Sequence, residues 1–189
     1  MPDSFQGGCA CGAIQYRCTA KPVVSFNGHC RACQQLTGSA YRSGIAVSTA
    51  AFQRIRGEPN YYTRQGDSGG DMSRGFCTIC GSPVVARFSR MPDLVGIPAA
   101  SLDDPSWHKP AFDMFVSSAQ PWDHMHPELP KFSEGPRQKN CPASAVAECQ
   151  DSRLDPAGPR PTPEQSVQWA EQSQMLDHHQ NNHARNDCG

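Results

Sequence analysis

Short stretches in which apolar and polar residues alternate dominate the first 136 residues. Ile14, Tyr16 and Cys18 alternate with Gln15 and Arg17, the two-residue period of a half-buried strand over 13–18. The stretches 43–47, 52–56, 83–88, 93–98 and 112–117 are short, β-rich and bounded by Gly, Pro or Asp, so each predicts a strand. A 3.6-residue period is nearly absent, and one helical turn is predicted after Cys33, through Gln34 to Thr37. This pattern predicts a mainly β domain over residues 5–136, without internal repeats and with a modest core.

The pattern stops near Pro136. Residues 137–189 hold only six of Val, Ile, Leu, Met, Phe and Trp, beside five prolines and seven glutamines. So little apolar surface cannot offset the entropy of ordering, which predicts a mostly disordered tail. Thr162, Pro163 and Gln165 form a helix-start signal within it, for a short helix over 163–178. A net charge of −1 and a pI near 6.6 argue against a basic nucleic-acid surface and against an acidic solvating tail. The longest apolar stretch, 94–100, is too short to span a bilayer. Residues 1–8 lack a basic segment followed by an apolar one, and the expectation is a cytoplasmic protein without membrane contact.

The ten cysteines change the picture. In a reducing compartment they read as metal ligands or reactive thiols rather than as a disulfide scaffold. Three clusters stand out: Cys9-Ala10-Cys11-Gly12, His29-Cys30-Arg31-Ala32-Cys33 and Cys77-Thr78-Ile79-Cys80-Gly81. The third has zinc-knuckle spacing, in which a tight turn aims two sulfurs at one ion. A structural zinc needs two more ligands, and spacing alone leaves Cys9/Cys11 and Cys30/Cys33 equally open. Cys18 reads as a core thiol, and Cys141, Cys149 and Cys188 as tail thiols.

Other patterns carry less. Gly66-Asp67-Ser68-Gly69-Gly70 has the order of a serine-protease nucleophile segment, but its place between Tyr61-Tyr62-Thr63 and the knuckle assigns it to a glycine-rich hairpin turn. Trp122-Asp123-His124-Met125-His126 reads as a polar loop under a Trp packed on the core. Arg31, Arg42, Arg74 and Lys109 lie near the motifs and are expected to be solvated surface cations.

Gly8-Cys9-x-Cys11-Gly12, His29-Cys30-x-x-Cys33-Gln34 and Phe76-Cys77-x-x-Cys80-Gly81-Ser82-Pro83 occur in that order, and the chain resembles the glutathione-dependent formaldehyde-activating family, which also includes centromere protein V. Thr37-Gly38-Ser39-Ala40, Ser101-Leu102-Asp103-Asp104-Pro105, Phe115-Val116-Ser117-Ser118-Ala119-Gln120-Pro121-Trp122 and Leu129-Pro130-Lys131-Phe132 extend the resemblance over about residues 5–136. It implies a tent-like fold of short antiparallel strands around a structural zinc held by Cys9, Cys11, Cys77 and Cys80. It also implies a second zinc at a Cys-x-Cys-x-x-Cys cluster matching positions 28, 30 and 33. Position 28 is Gly, so the second ion is expected on Cys30 and Cys33; His29 is a candidate replacement ligand, but adjacent side chains commonly diverge, and its place next to Cys30 favours a loop histidine bonded to backbone or solvent. Cys30 and Cys33 would then be the catalytic residues. The implied activity is that of a carbon–sulfur lyase joining glutathione, the co-substrate, to formaldehyde as S-hydroxymethylglutathione, and the implied partners are a small thiol and an aldehyde. Gly28 motivates a second reading, a non-catalytic zinc module with a degraded second metal site. A nucleic-acid role would need a basic stretch that the chain lacks.

Overall fold

The computed structural model describes residues 1–66 and 69–135. The tail 137–189 with its expected helix, cysteines and histidines, together with Asp67 and Ser68, lies outside the described residues. The fold is mainly β. In chain order the strands are β1 (Phe5–Gly8), β2 (Gln15–Cys18), β3 (Val24–Gly28), β4 (Arg42–Ser48), β5 (Phe52–Arg56), β6 (Asn60–Gln65), β7 (Asp71–Phe76), β8 (Pro83–Phe88), β9 (Leu94–Pro98), β10 (Asp113–Met114) and β11 (Lys131–Phe132). A short helix, α1 (Arg31–Thr37), connects β3 to β4. The strands form a three-stranded sheet in the order β1-β2-β5 and an eight-stranded sheet in the order β11-β10-β3-β4-β9-β8-β7-β6. Among the described residues no helix is long and apolar enough to cross a membrane.

The expected strands at 52–56 and 83–88 coincide with β5 and β8. The strand expected over 13–18 starts at Gln15, because the preceding residues form a turn. The strand expected over 112–117 shrinks to β10, because Phe115 takes a positive φ of 59° that an extended strand cannot accommodate. The expected helical turn becomes the full α1, opening at Arg31. Against the expectation of antiparallel strands throughout, β10 runs parallel to β3 and to β11. It is delivered by the long connection after β9 rather than by a hairpin, so the chain has room to return in the same direction.

The core lies between the two sheets. Ile45 and Val47 of β4 pair with Ile97 and Val95 of β9, and all four are buried with Val84 and Val85 of β8. From the smaller sheet come Phe5, Tyr16 and Cys18, the last a fully buried thiol as expected. Burying side chains of this size stabilises by roughly 1.5–3 kcal/mol each. The Tyr16 hydroxyl also hydrogen-bonds the Ser101 carbonyl at 3.1 Å and the Ser101 hydroxyl at 2.9 Å. This contact requires a bare backbone at Gly7, which pairs with Tyr16. A Cβ at Gly7 would lie 2.2 Å from the Ser101 carbonyl oxygen and 2.3 Å from the Tyr16 oxygen.

Gly7→Ala is therefore expected to lower unfolding stability by about 1–3 kcal/mol through overpacking. Tyr16→Phe is expected to cost about 1–3 kcal/mol, because it strips a buried polar group of its partner. Chemical denaturation checks both. The double variant should lose less than the sum, since both changes act on Ser101.

Candidate metal centre and thiol site

Two hairpin turns are built alike. The turn between β1 and β2 closes with the Cys9 amide donating to the Ile14 carbonyl at 3.0 Å, and that between β7 and β8 with the Cys77 amide donating to the Ser82 carbonyl at 3.0 Å. Each turn holds a glycine at a φ of 72°, Gly12 in the first and Gly81 in the second, a conformation that a side chain would strain. The first turn belongs to the three-stranded sheet and the second to the eight-stranded sheet. They meet so that the sulfurs of Cys9, Cys11, Cys77 and Cys80 all lie within 4.8 Å of one another. Cys9 to Cys11 is 3.5 Å and Cys11 to Cys77 is 3.7 Å. A tetrahedron with metal–sulfur bonds of about 2.3 Å has edges of ~3.8 Å, so the donor set fits a four-thiolate ion of the zinc type.

The surroundings favour anionic sulfur. The Ile14 amide donates to Cys9 Sγ at 3.2 Å, and Ser82 Oγ lies 3.2 Å from both the Ala10 amide and Cys80 Sγ. Hydrogen bonds from the Ser82 hydroxyl and amide hold the Cys80 thiol down at about 5. At Cys11 the Ala13 amide lowers the titration, but the neighbouring thiols outweigh it and push it up to about 12. Four thiolates so close repel one another, and a cation removes that repulsion.

The second cluster forms where β3 ends. The Cys30 carbonyl accepts the Cys33 amide at 2.9 Å and the Gln34 amide at 3.1 Å, which starts α1. Gln34 anchors the helix by donating to the carbonyls of His29 at 2.7 Å and Ser118 at 2.9 Å. The sulfurs of Cys30 and Cys33 come to 3.2 Å. Cys30 is half-buried and Cys33 is buried. A Cβ at Gly28 would point at this pair, 3.2 Å from Cys33 Sγ. The backbone at Gly28 is ordinary strand, so its conformation makes no demand for glycine.

His29 does not supply the missing ligand. Its ring is completely buried, with Nδ1 2.6 Å from Asp123 Oδ2 and Nε2 3.3 Å from Asp113 Oδ1. Among the described residues no third Cys, His, Asp or Glu joins Cys30 and Cys33 in a metal-sized cluster. Zinc sites use at least three protein ligands, so the residues present do not fit a second zinc.

Arg42 and Arg74 correct another expectation. Instead of being solvated they are buried, at 6% and 7% exposure. Among the described residues neither forms an ion pair with a carboxylate, and the Nε of each is buried without a hydrogen-bond partner. Arg42 sits opposite Gly28 in the β3–β4 register, and the charges of both arginines act on Cys33. The Cys30 thiol is held down at about 6, first by its hydrogen bond with Cys33 and then, against burial, by the Cys33 amide, the Arg74 charge and the Ala32 amide. The hydrogen bond to Cys30 and burial push Cys33 up. The pair thus shares one proton, which belongs on the more buried Cys33 because burial penalises the anion there most.

Further polar groups gather on the other side of β3. Ser43 Oγ donates to Asn27 Oδ1 at 2.8 Å and lies 2.7 Å from His108 Nε2, and Asn27 Nδ2 donates to Asp113 Oδ1 at 3.0 Å. Asn27, His108 and Asp113 lead to His29 and line with it a cleft of about 470 Å³, together with Tyr41, Lys109, His124 and His126. In the 122–126 loop the packing is the reverse of that expected, with Trp122 59% exposed and Asp123 buried against His29.

A family model described as "Glutathione-dependent formaldehyde-activating enzyme" matches residues 4–118. None of the curated proteins matches the chain. A crystal structure of a Rhodobacter sphaeroides protein is similar at 19% identity, covering 52% of this chain and 87% of its own, with a TM-score of 0.42.

Purified chain is expected to hold one tightly bound zinc on the four-sulfur centre, and Cys77→Ser to lose it together with much of its thermal stability. Gly28→Cys should raise the content by one further ion, because it places a third sulfur beside Cys33. Elemental analysis reads both, and a Gly28→Cys chain without extra metal would refute the role given to position 28.

Proposed function

The chain belongs to the glutathione-dependent formaldehyde-activating family, and from that membership we propose that it makes and breaks the carbon–sulfur bond of a glutathione–formaldehyde-type adduct at Cys30 and Cys33. The observation that carries this reading is the pair of buried arginines, without a carboxylate partner among the described residues, beside the half-buried Cys30 and buried Cys33. Two guanidinium charges against one thiolate leave a net charge of about +1 in a buried setting, which favours an anionic ligand. Glutathione brings carboxylates and a thiol that ionises near a positive charge.

Zinc on Cys9, Cys11, Cys77 and Cys80 would fix the fold, since four protein ligands leave no open position for substrate. The chemistry falls to the chain's own groups. Arg42 and Arg74 hold the anionic thiol substrate. The Cys30 thiolate accepts the proton of the substrate thiol, and the resulting substrate thiolate attacks the aldehyde carbon. The carbonyl oxygen takes on the negative charge and receives the proton back from Cys30, giving the hydroxymethyl thioether. Run in reverse, Cys30 removes the hydroxyl proton, the carbon–sulfur bond breaks and the aldehyde leaves. Positioning of the two reactants and this proton transfer account for the acceleration. The missing third sulfur at Gly28 favours a second reading, a metal-stabilised module without turnover.

Cys30→Ser is expected to lower the rate of hydroxymethyl adduct formation by about 10²–10⁴-fold, the usual worth of a general base. The sign of the pH dependence follows from Cys30 being held down: the active thiolate is present above about 6 and is lost as pH falls through that value. Arg74→Met should move this inflection up toward the ordinary 9.0. NMR of the adduct signal measures these rates. A wild-type rate equal to the uncatalysed background would select the module reading.

A further inference from the structure

Cys30 and Cys33 differ from every other described thiol. Cys9, Cys11, Cys77 and Cys80 crowd into one metal-sized cluster, and Cys18 stands alone in the core. Only Cys30 and Cys33, among the described cysteines, are a close pair left without a further ligand. We propose that they are a redox-active dithiol that reduces small disulfides by thiol–disulfide exchange.

Four observations converge on this. The sulfurs are 3.2 Å apart, and the Cys33 amide bond to the Cys30 carbonyl fixes the turn that brings them together. The two residues are unequal: half-buried Cys30 can meet an incoming disulfide, whereas buried Cys33 can reach only Cys30. Gly28 withholds the third sulfur, and both ring nitrogens of His29 face carboxylates, so among the described residues no third ligand competes for the thiols. Arg42 and Arg74 supply buried positive charge with no carboxylate partner among the described residues, which stabilises attacking and departing thiolates alike.

The steps balance. The Cys30 thiolate attacks one sulfur of a disulfide RS–SR, forming a Cys30–SR mixed disulfide and expelling one thiolate, which takes up a proton. Cys33 loses its proton and attacks Cys30 Sγ, forming the Cys30–Cys33 disulfide and expelling the second thiolate. The dithiol loses two electrons, the disulfide gains two, and two RSH molecules leave. The reaction involves no aldehyde and does not rest on the adduct chemistry proposed above. Glycine at position 28 is what permits it, because a third sulfur there would bind metal and close the pair to exchange.

The test treats the full chain, loaded with zinc, with glutathione disulfide. Remaining thiols are alkylated and every cysteine is mapped by peptide mass spectrometry. The wild type is expected to yield a Cys30–Cys33 disulfide, and Cys33→Ser to trap glutathione on Cys30. In Cys30→Ser the modification of Cys33 should be at least tenfold slower, and in Gly28→Cys with zinc the pair should be protected. The inference is overturned if wild-type Cys30 and Cys33 stay reduced, if Cys33→Ser captures no glutathione at Cys30, or if the wild-type pair carries a second zinc. A mapped disulfide without any hydroxymethyl turnover would leave this inference standing and remove the adduct reading. Turnover without the disulfide would do the reverse.

Discussion

The structure depends first on the meeting of two hairpin turns from different sheets at four sulfurs. The three-stranded sheet has strands of only four or five residues. A sheet that small is marginal unless it packs on something. Its apolar face covers the larger sheet through Phe5, Tyr16 and Cys18, and its turn end is tied by sulfur. A cation there would convert mutual repulsion among thiolates into a closed tetrahedral link. The β1–β2 register next to this turn carries Tyr16 to Ser101 and requires Gly7 to be bare.

The link reaches the thiol site through β7. Arg74 lies on this strand three residues before Cys77, so the knuckle that anchors the strand also places the guanidinium. Arg42 comes from β4 and the two thiols from the β3–α1 junction. Three elements thus bring buried charge together where water cannot neutralise it. Holding two arginines there costs free energy that folding alone does not return, and an anion in the site offsets it. The Cys30 thiolate offsets one charge, and the remaining one is what a ligand would meet.

How much of this was legible depends on how local each signal is. The Cys77–Cys80 knuckle could be read because its spacing and following glycine carry their own geometry. The choice of its partner could not, because it depends on which turns the two sheets bring together. The structure brings Cys9 and Cys11, the pair that the family resemblance pointed to. Strands β5 and β8 were visible in their composition, whereas β1, β3 and β7 were hidden by Gly7 and Gly8, Gly28, and Gly75. At Gly75 a Cβ would lie 2.6 Å from Val85 Cγ1, so packing sets a residue of low strand propensity there. The burial of Arg42 and Arg74 had no local signal, since charge alone predicts exposure. Asp113 and Asp123 were invisible for the same reason, and their close contacts with His29 turned a candidate ligand into part of a buried polar network.

Gly28 is where residue type and chemistry are most tightly joined. The backbone there would accept a side chain, and the direction of its Cβ leads to Cys33 Sγ. With a sulfur at that point, three thiolates would need a metal as their counter-charge. Without it, two sulfurs remain, and a shared proton with two guanidinium groups supplies the counter-charge. A metal immobilises thiolates, whereas a proton and fixed positive charge leave one of them free to react. The substitution therefore exchanges one kind of reactive sulfur site for another, and the burial of Arg42 and Arg74 makes the second kind chemically coherent.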